Sequence, residues 1–284
     1  MTALGYVRGG PAAFRSAPDA GVGGGVDTGA TGTLLDGVAD LAARVPWGAP
    51  VLVTLALGFY QIGRPELWRD EVSSWSFAAR PVSGLIATAR NTGATQLAYY
   101  LLLHFWIAAF GSSADAMRSL SVLAMAGAAA CVTLVGRKLA GPRAGLASGL
   151  VFALVPSVSR FAQEVRFYAL EVLVAALATL LLLRALERPA WRRWLAYAAG
   201  VALLGYIDLV ALSVLAGHAA GAALSHRQDR DRRKLWFVPA AAAGLAACAP
   251  LAVISWSQAG DQVGWIPRPG LDLAAFSFFF RNLF

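Results

Sequence analysis

Apolar residues fall in blocks separated by short polar connections, at 47–63, 115–136, 144–159, 167–186, 194–207, 209–225 and 235–256. A helix rises about 1.5 Å per residue, so about 20 apolar residues cross a hydrocarbon core about 30 Å thick. Backbone polar groups in lipid must be satisfied within the segment, so such blocks are helices. The pattern predicts an all-α, polytopic transmembrane helical bundle of about seven spans. The 32 residues of 194–225 are tight for two spans, which predicts a short hairpin with Asp208 at its tip, a single long tilted helix being the alternative. Gln96 to Phe110 is apolar for about 15 residues, short for a crossing. It predicts a helix lying in the interface, a short true span that would invert the later connections being the alternative, preceded by a first such helix over 72–90 that ends at Asn91-Thr92-Gly93.

The polar connections carry the orientation. Arg137, Lys138 and Arg143 fill one, Arg184, Arg188, Arg192 and Arg193 a second, and Arg227, Arg230, Arg232, Arg233 and Lys234 a third. Together they hold half of the 24 Lys and Arg residues, and short basic loops face the cytoplasm. Parity then places both Asp70 and the segment Arg160–Arg166 on the extracytoplasmic face. Residues 1–46 are Gly/Ala-rich with no apolar signal-peptide core and are expected to be a disordered cytoplasmic tail, with 47–63 as an uncleaved anchor. The module 47–256 carries the spans. Residues 257–284 read as an external loop and the start of a further apolar segment, the N-terminal part of a longer protein being expected.

Composition agrees with this partition. The chain is 58% hydrophobic with mean hydropathy +0.59, beyond the range of a soluble domain. Its net charge of +8 would suit nucleic acid, but the cations sit between apolar blocks and read as topology signals, so no nucleic-acid partner is expected. Cys131 and Cys248 lie inside apolar blocks and read as small buried hydrophobes.

Two polar clusters remain. Asp70-Glu71 sits between Trp68 and Trp75 at the lip of the first block, where carboxylates are costly to desolvate and are functional candidates by default. A carboxylate there can deprotonate an acceptor hydroxyl or amine; acids also favour a helix N-terminus and tryptophans an aromatic belt, so the pair equally reads as an interfacial cap. The second cluster is Arg160-Phe161-Ala162-Gln163-Glu164-Val165-Arg166-Phe167-Tyr168. As a helix it would align Arg160, Glu164 and Tyr168 on one face, with Glu171 near the same stripe and Arg166 pointing elsewhere. Arginine grips phosphate through paired N–H donors, and a carboxylate such as Glu164 can hold a divalent ion (Mg²⁺ or Mn²⁺) or orient the arginine. A structural Arg–Glu pair is the alternative. Gln96, Tyr100 and His104 share a stripe of the interfacial helix, His104 reading as a hydrogen-bonded packing residue. No Walker loop, HExxH, CxxC or Gly-x-Ser-x-Gly sequence is present.

Three stretches resemble the membrane glycosyltransferases of the GT-C superfamily, closest to the bacterial family 39 type related to protein O-mannosyltransferases and aminoarabinose transferases. They are Leu67-Trp68-Arg69-Asp70-Glu71-Val72-Ser73-Ser74; Leu97-Ala98-Tyr99-Tyr100-Leu101-Leu102-Leu103-His104 with Phe110-Gly111-Ser112 and Arg118-Ser119-Leu120-Ser121; and Gln163-Glu164-Val165-Arg166-Phe167-Tyr168-Ala169-Leu170. The chain departs from the family at Ala94-Thr95-Gln96-Leu97-Ala98, where Pro-Pro is common. The resemblance implies Asp70 as catalytic base with Glu71 beside it, and donor-phosphate or metal groups matching Glu164 and Arg166; Arg160, Gln163 and Tyr168 of the same segment are expected to join Arg166 at the donor phosphate. It also implies a polyprenyl-phosphate sugar donor, inversion at the anomeric carbon, a lipid, glycan or protein acceptor, and residence among the lipids of the plasma membrane. A transporter or lipid flippase, using the same charges as a pathway, is the other class consistent with the apolar pattern.

Overall fold

The computed structural model describes residues 45–92 and 96–263. The tail expected over 1–46 and the segment past Val263 lie almost wholly outside the described residues. Among those described, secondary structure is helical throughout. The helices are α1 (Gly48–Phe59), α2 (Arg69–Ala78), α3 (Val82–Thr92), α4 (Leu97–Phe110), α5 (Ala114–Leu154), α6 (Pro156–Ala162), α7 (Tyr168–Glu187), α8 (Trp191–Ile207), α9 (Val214–Asp229) and α10 (Phe237–Val263). Short 3-10 turns at Val210–Ser213 and Arg232–Trp236 lead into α9 and α10.

By length and composition three helical segments suffice to cross a membrane: Ala114–Leu154, Tyr168–Glu187 and Arg232–Ser257. Gly48–Phe59 and Leu97–Phe110 are apolar but shorter. Helix α5 is two arms folded at Gly141, whose φ of +88° is strained for any side-chain-bearing residue. Pro142 then opens the returning arm, where its missing N–H does no harm. Glycines let the arms close. A Cβ on Gly145 would stand 2.7 Å from the Thr133 carbonyl, and one on Gly149 would strike Thr133 Oγ1 and Pro50 of α1. Gly58 admits Val122 in the same way, so α1 lies against α5. Helix α7 packs on α5, α8 on α7, and α10 on α8.

The hairpin expected around Asp208 forms: Asp208 ends α8, and its Oδ1 accepts the Val210 N–H at 3.0 Å. Cys131 and Cys248 are free and buried, as expected. Three expectations need correction. The single helix over 72–90 is two, α2 and α3, because Pro81 cannot continue α2. The last helix does not stop at 256 but runs to Val263, since a polar sequence without a strong breaker continues a helix as readily as it starts a loop. The third concerns 160–168. Helix α6 ends at Ala162, Gln163 has non-helical backbone, and α7 starts at Tyr168. The assumed continuous face linking Arg160 to Tyr168 is therefore absent.

Helices α2 and α4 gather over the end of the bundle where α5 and α7 begin. Trp106 Nε1 on α4 donates to the Ala116 carbonyl at 2.8 Å, and Phe77 on α2 stacks on Tyr100 of α4 at 5.2 Å. Beneath them Tyr99, Leu103, Met117, Val165 and Phe167 form a buried cluster. Helix α4 is 14 residues long, shorter than the helices of this chain that suffice for a crossing.

Candidate active site

Arg118 stands one turn inside α5 and is 2% exposed. A cation buried in apolar surroundings needs an anion and full hydrogen bonding. Glu71, at the third position of α2 and fully buried, supplies both. Arg118 Nε donates to Glu71 Oε1 at 2.9 Å and Nη2 to Oε2 at 2.8 Å, a bidentate pair. The remaining guanidinium donors take the carbonyls of Ile62 and Pro65, each at 2.8 Å, and Glu66 at 3.3 Å. The connection from α1 to α2 is thereby wound around one side chain. Glu71 Oε2 also accepts the Trp68 N–H at 3.2 Å, the half of a capping box that restrains the start of α2. Its Oε1 accepts the N–H of Val165 at 2.9 Å. Four accepted bonds fill the lone-pair directions of a carboxylate. Glu71, expected from sequence beside Asp70 in the chemistry, is thus a saturated anchor.

Asp70 is its opposite. On the neighbouring position of α2 it projects about 100° away, and its side chain is 42% exposed. Asp70 Oδ2 lies 3.8 Å from Nη2 of Arg166, a long ion pair, and Oδ1 has no protein partner among the described residues. Arg166 was expected to point away from the cluster; because Val165 is tied to Glu71, the turn instead aims Arg166 at Asp70. Its side chain is 15% exposed, held against Phe167 and Tyr168 with ring centroids 5.6 and 5.5 Å from Cζ. Nη2 donates to the Tyr168 hydroxyl at 3.5 Å, whereas Nε is buried with no hydrogen-bond partner among the described residues. Tyr100 completes the wall: it donates to Gln96 Oε1 at 2.6 Å and lies within electrostatic reach of Asp70 and Arg166. Burial pushes its phenol pKa up, so it stays a neutral hydrogen-bonding group.

The other expected residues disperse. Gln163 Nε2 donates to the carbonyls of Gly58 (3.1 Å) and Tyr60 (2.8 Å), sealing the end of α1. Arg160 is 74% exposed and donates to Glu164 at 3.3 Å, the structural pair that the sequence left open. Glu164 is buried, and its carbonyl accepts from Ser121 at 2.6 Å. His104 bonds the Ala78 carbonyl at 2.8 Å and ends α2. Glu171 and Asp208 come within electrostatic reach of each other at the same end. Among the described residues no three His, Cys, Asp or Glu side chains converge as a metal site. Glu164, already engaged by Arg160, does not form a cation cage by itself. Sequence reasoning missed the role of Arg118. Its signal was an arginine one turn inside a long apolar block, which obliges an anion to come to it.

A helical membrane protein with a carboxylate and a partly unsatisfied arginine at one end of its bundle has the parts of an enzyme that works on a phosphate-bearing substrate. The family model for dolichyl-phosphate-mannose-protein mannosyltransferases matches residues 96–256, more than half of the chain, and the chain belongs to that family. It is accordingly a GT-C-like membrane glycosyltransferase of the kind that takes sugar from a polyprenyl-phosphate donor. No curated protein matches it. The match starts after Asp70 and Glu71, so the assignment of those two rests on geometry.

Proposed function

We propose that this chain transfers a sugar from a polyprenyl phosphate to an extracytoplasmic acceptor, inverting the anomeric centre, with Asp70 as base and Arg166 as the phosphate clamp. The observation that carries this reading is the half-exposed Asp70 carboxylate 3.8 Å from a guanidinium whose Nε is buried and unbonded. Seven helices or helix arms coincide with the seven apolar blocks, which supports seven crossings in the plasma membrane, local thinning of the bilayer accommodating the shorter ones. Basic connections at the far end support a site outside and residue 45 on the cytoplasmic side.

In the reaction the acceptor O–H bond breaks and its proton passes to Asp70 Oδ1, the oxygen turned from Arg166. The acceptor oxygen bonds to the anomeric carbon as the bond from that carbon to the phosphate oxygen breaks. The electron pair leaves on the phosphate, which Arg166 receives through Nε and Nη2, with Tyr168 buttressing the guanidinium. A phosphate is a stable leaving group, so one base suffices and no general acid is required. Glu71 and Arg118 act as positioning residues: they set the pitch of α2 and the 163–167 turn relative to each other. Gln163 works similarly through α1. A divalent cation on Glu164, which Arg160 already engages, would need donor phosphate oxygens as further ligands.

The test uses membranes containing the chain, a labelled mannosyl polyprenyl phosphate and the other polyprenyl-phosphate sugars in parallel, with mass spectrometry of lipids, glycans and proteins. A new glycosidic bond formed by wild type and lost in Asp70→Asn is the expected result. Label crossing the bilayer without such a bond would overturn the proposal in favour of transport.

A further inference from the structure

A second polar feature lies at the other end of the same helices. Lys138 follows Arg118 by 20 residues on the unbroken arm of α5, and Glu187 follows Tyr168 by 19 on α7. At about 1.5 Å per residue each pair is separated by about 30 Å, the thickness of a hydrocarbon core. Whatever binds around Lys138 therefore meets the leaflet opposite the candidate active site.

There the chain forms a cleft of about 580 Å³ lined by Lys138, Arg184, Arg188, Arg192 and Arg193, with Glu187 as its one carboxylate. Glu187 is taken by Lys138. Arg193 Nη1 donates to the carbonyls of Arg184 (3.2 Å) and Arg188 (2.8 Å), which closes the end of α7 and stiffens the wall. Arg184, Arg188 and Arg192 have no carboxylate partner among the described residues. Like charges crowded into one concavity repel unless an anion enters.

The cleft is not isolated. Lys138 and Glu187 also line an apolar groove of about 480 Å³ between α7 and α9, walled by Leu182, Leu183, Leu186 and Leu224. Gly217 and Gly221 leave its side open, since a Cβ on either would meet nothing within 4 Å. Trp191, 66% exposed, stands at the same level with the Arg192 guanidinium 5.3 Å above its ring, as interfacial tryptophans do. A multiply cationic head site sharing a wall with a groove of leucines is complementary to one amphipathic molecule.

We propose that this is a binding site for an anionic phospholipid of the leaflet that faces the basic loops. The phosphate sits among Arg184, Arg188 and Arg192, and one acyl chain lies along the α7–α9 groove. This site is separate from the one that transfers sugar and stands or falls independently of it.

The test is native mass spectrometry of the whole chain in detergent, with added dioleoyl phosphatidylglycerol or dioleoyl phosphatidylcholine. Wild type should retain phosphatidylglycerol at least about tenfold better, and Arg184→Gln/Arg188→Gln/Arg192→Gln should lose that preference. A second variant, Gly221→Leu, fills the groove and leaves the cations in place; it should weaken retention of phosphatidylglycerol. Equal retention of the two lipids, or an unchanged preference in the triple variant, would overturn the proposal. Displacement of the lipid by inorganic phosphate or by an unglycosylated polyprenyl phosphate would also overturn it, by showing that a soluble anion or the spent carrier is the true occupant.

Discussion

The backbone N–H of Val165 donates to Oε1 of Glu71 at 2.9 Å, joining two segments 94 residues apart. That bond makes the site a single object. The same carboxylate is clamped by Arg118, so the turn that carries Arg166 is held on the helix that carries Asp70. The separation of Asp70 from Arg166 is thereby set by two side chains that are themselves buried.

Asp70→Asn should lower transfer by about 10²–10⁴-fold, the range of a general base, with thermal stability in detergent within about 0.5 kcal/mol of wild type because the side chain is half exposed. Turnover close to wild type would end the assignment of Asp70.

Glu71→Gln should show the converse. It leaves the Arg118 charge buried without its anion, a change worth about 3–5 kcal/mol of stability. Arg118→Met together with Glu71→Met should recover part of that loss, though not all, because the N–H groups of Trp68 and Val165 then lack their acceptor. Denaturant or thermal unfolding of the two variants and wild type measures this, and a Glu71→Gln protein as stable as wild type would contradict it.

Arg166→Lys keeps the charge and removes the planar set of donors, including the unbonded Nε. The KM for the polyprenyl-phosphate donor should rise by about tenfold or more, with the KM for the acceptor little changed. Steady-state kinetics with each substrate varied in turn decides the point.

Gly141→Ala should destabilise by about 1–3 kcal/mol through its φ of +88°, although a methyl group there meets no neighbour. Gly149→Val should be worse, since its side chain would drive Pro50 and Thr133 apart and open the contact of α1 with α5. Comparing the two melting temperatures separates backbone strain from steric overlap.

His218 is buried between Thr179 Oγ1 (3.0 Å) and the Tyr197 hydroxyl (3.1 Å), linking α7, α8 and α9. His218→Leu should cost about 1–2 kcal/mol by leaving both hydroxyls with fewer partners, and transfer at low temperature should persist. Loss of transfer without loss of stability would give this histidine a role that its position at a distance from Asp70 does not suggest.

Much of the architecture is legible in the chain itself. Lipid forbids unsatisfied backbone, so apolar blocks become helices whatever they pack against, and the spacing of basic connections assigns their ends. The hairpin at Asp208, the buried cysteines and the packing role of His104 follow from such local rules. The 160–168 segment was less legible. A period of four residues describes a helix only if the helix is continuous, and the tie of Gln163 to α1 and of Val165 to Glu71 outbids the helical bonds there.

The sequence by itself determined that Asp70, Glu71 and Arg166 belong at one end of the helices, because hydrophobic length and charge parity are properties of the chain read in order. Only the tertiary structure decided which carboxylate is available. Adjacent residues on a helix point about 100° apart, and nothing local says which of them meets an arginine 47 residues away. Once Arg118 had claimed Glu71, the energy of a buried ion pair left Asp70 as the acid that faces Arg166 and the solvent.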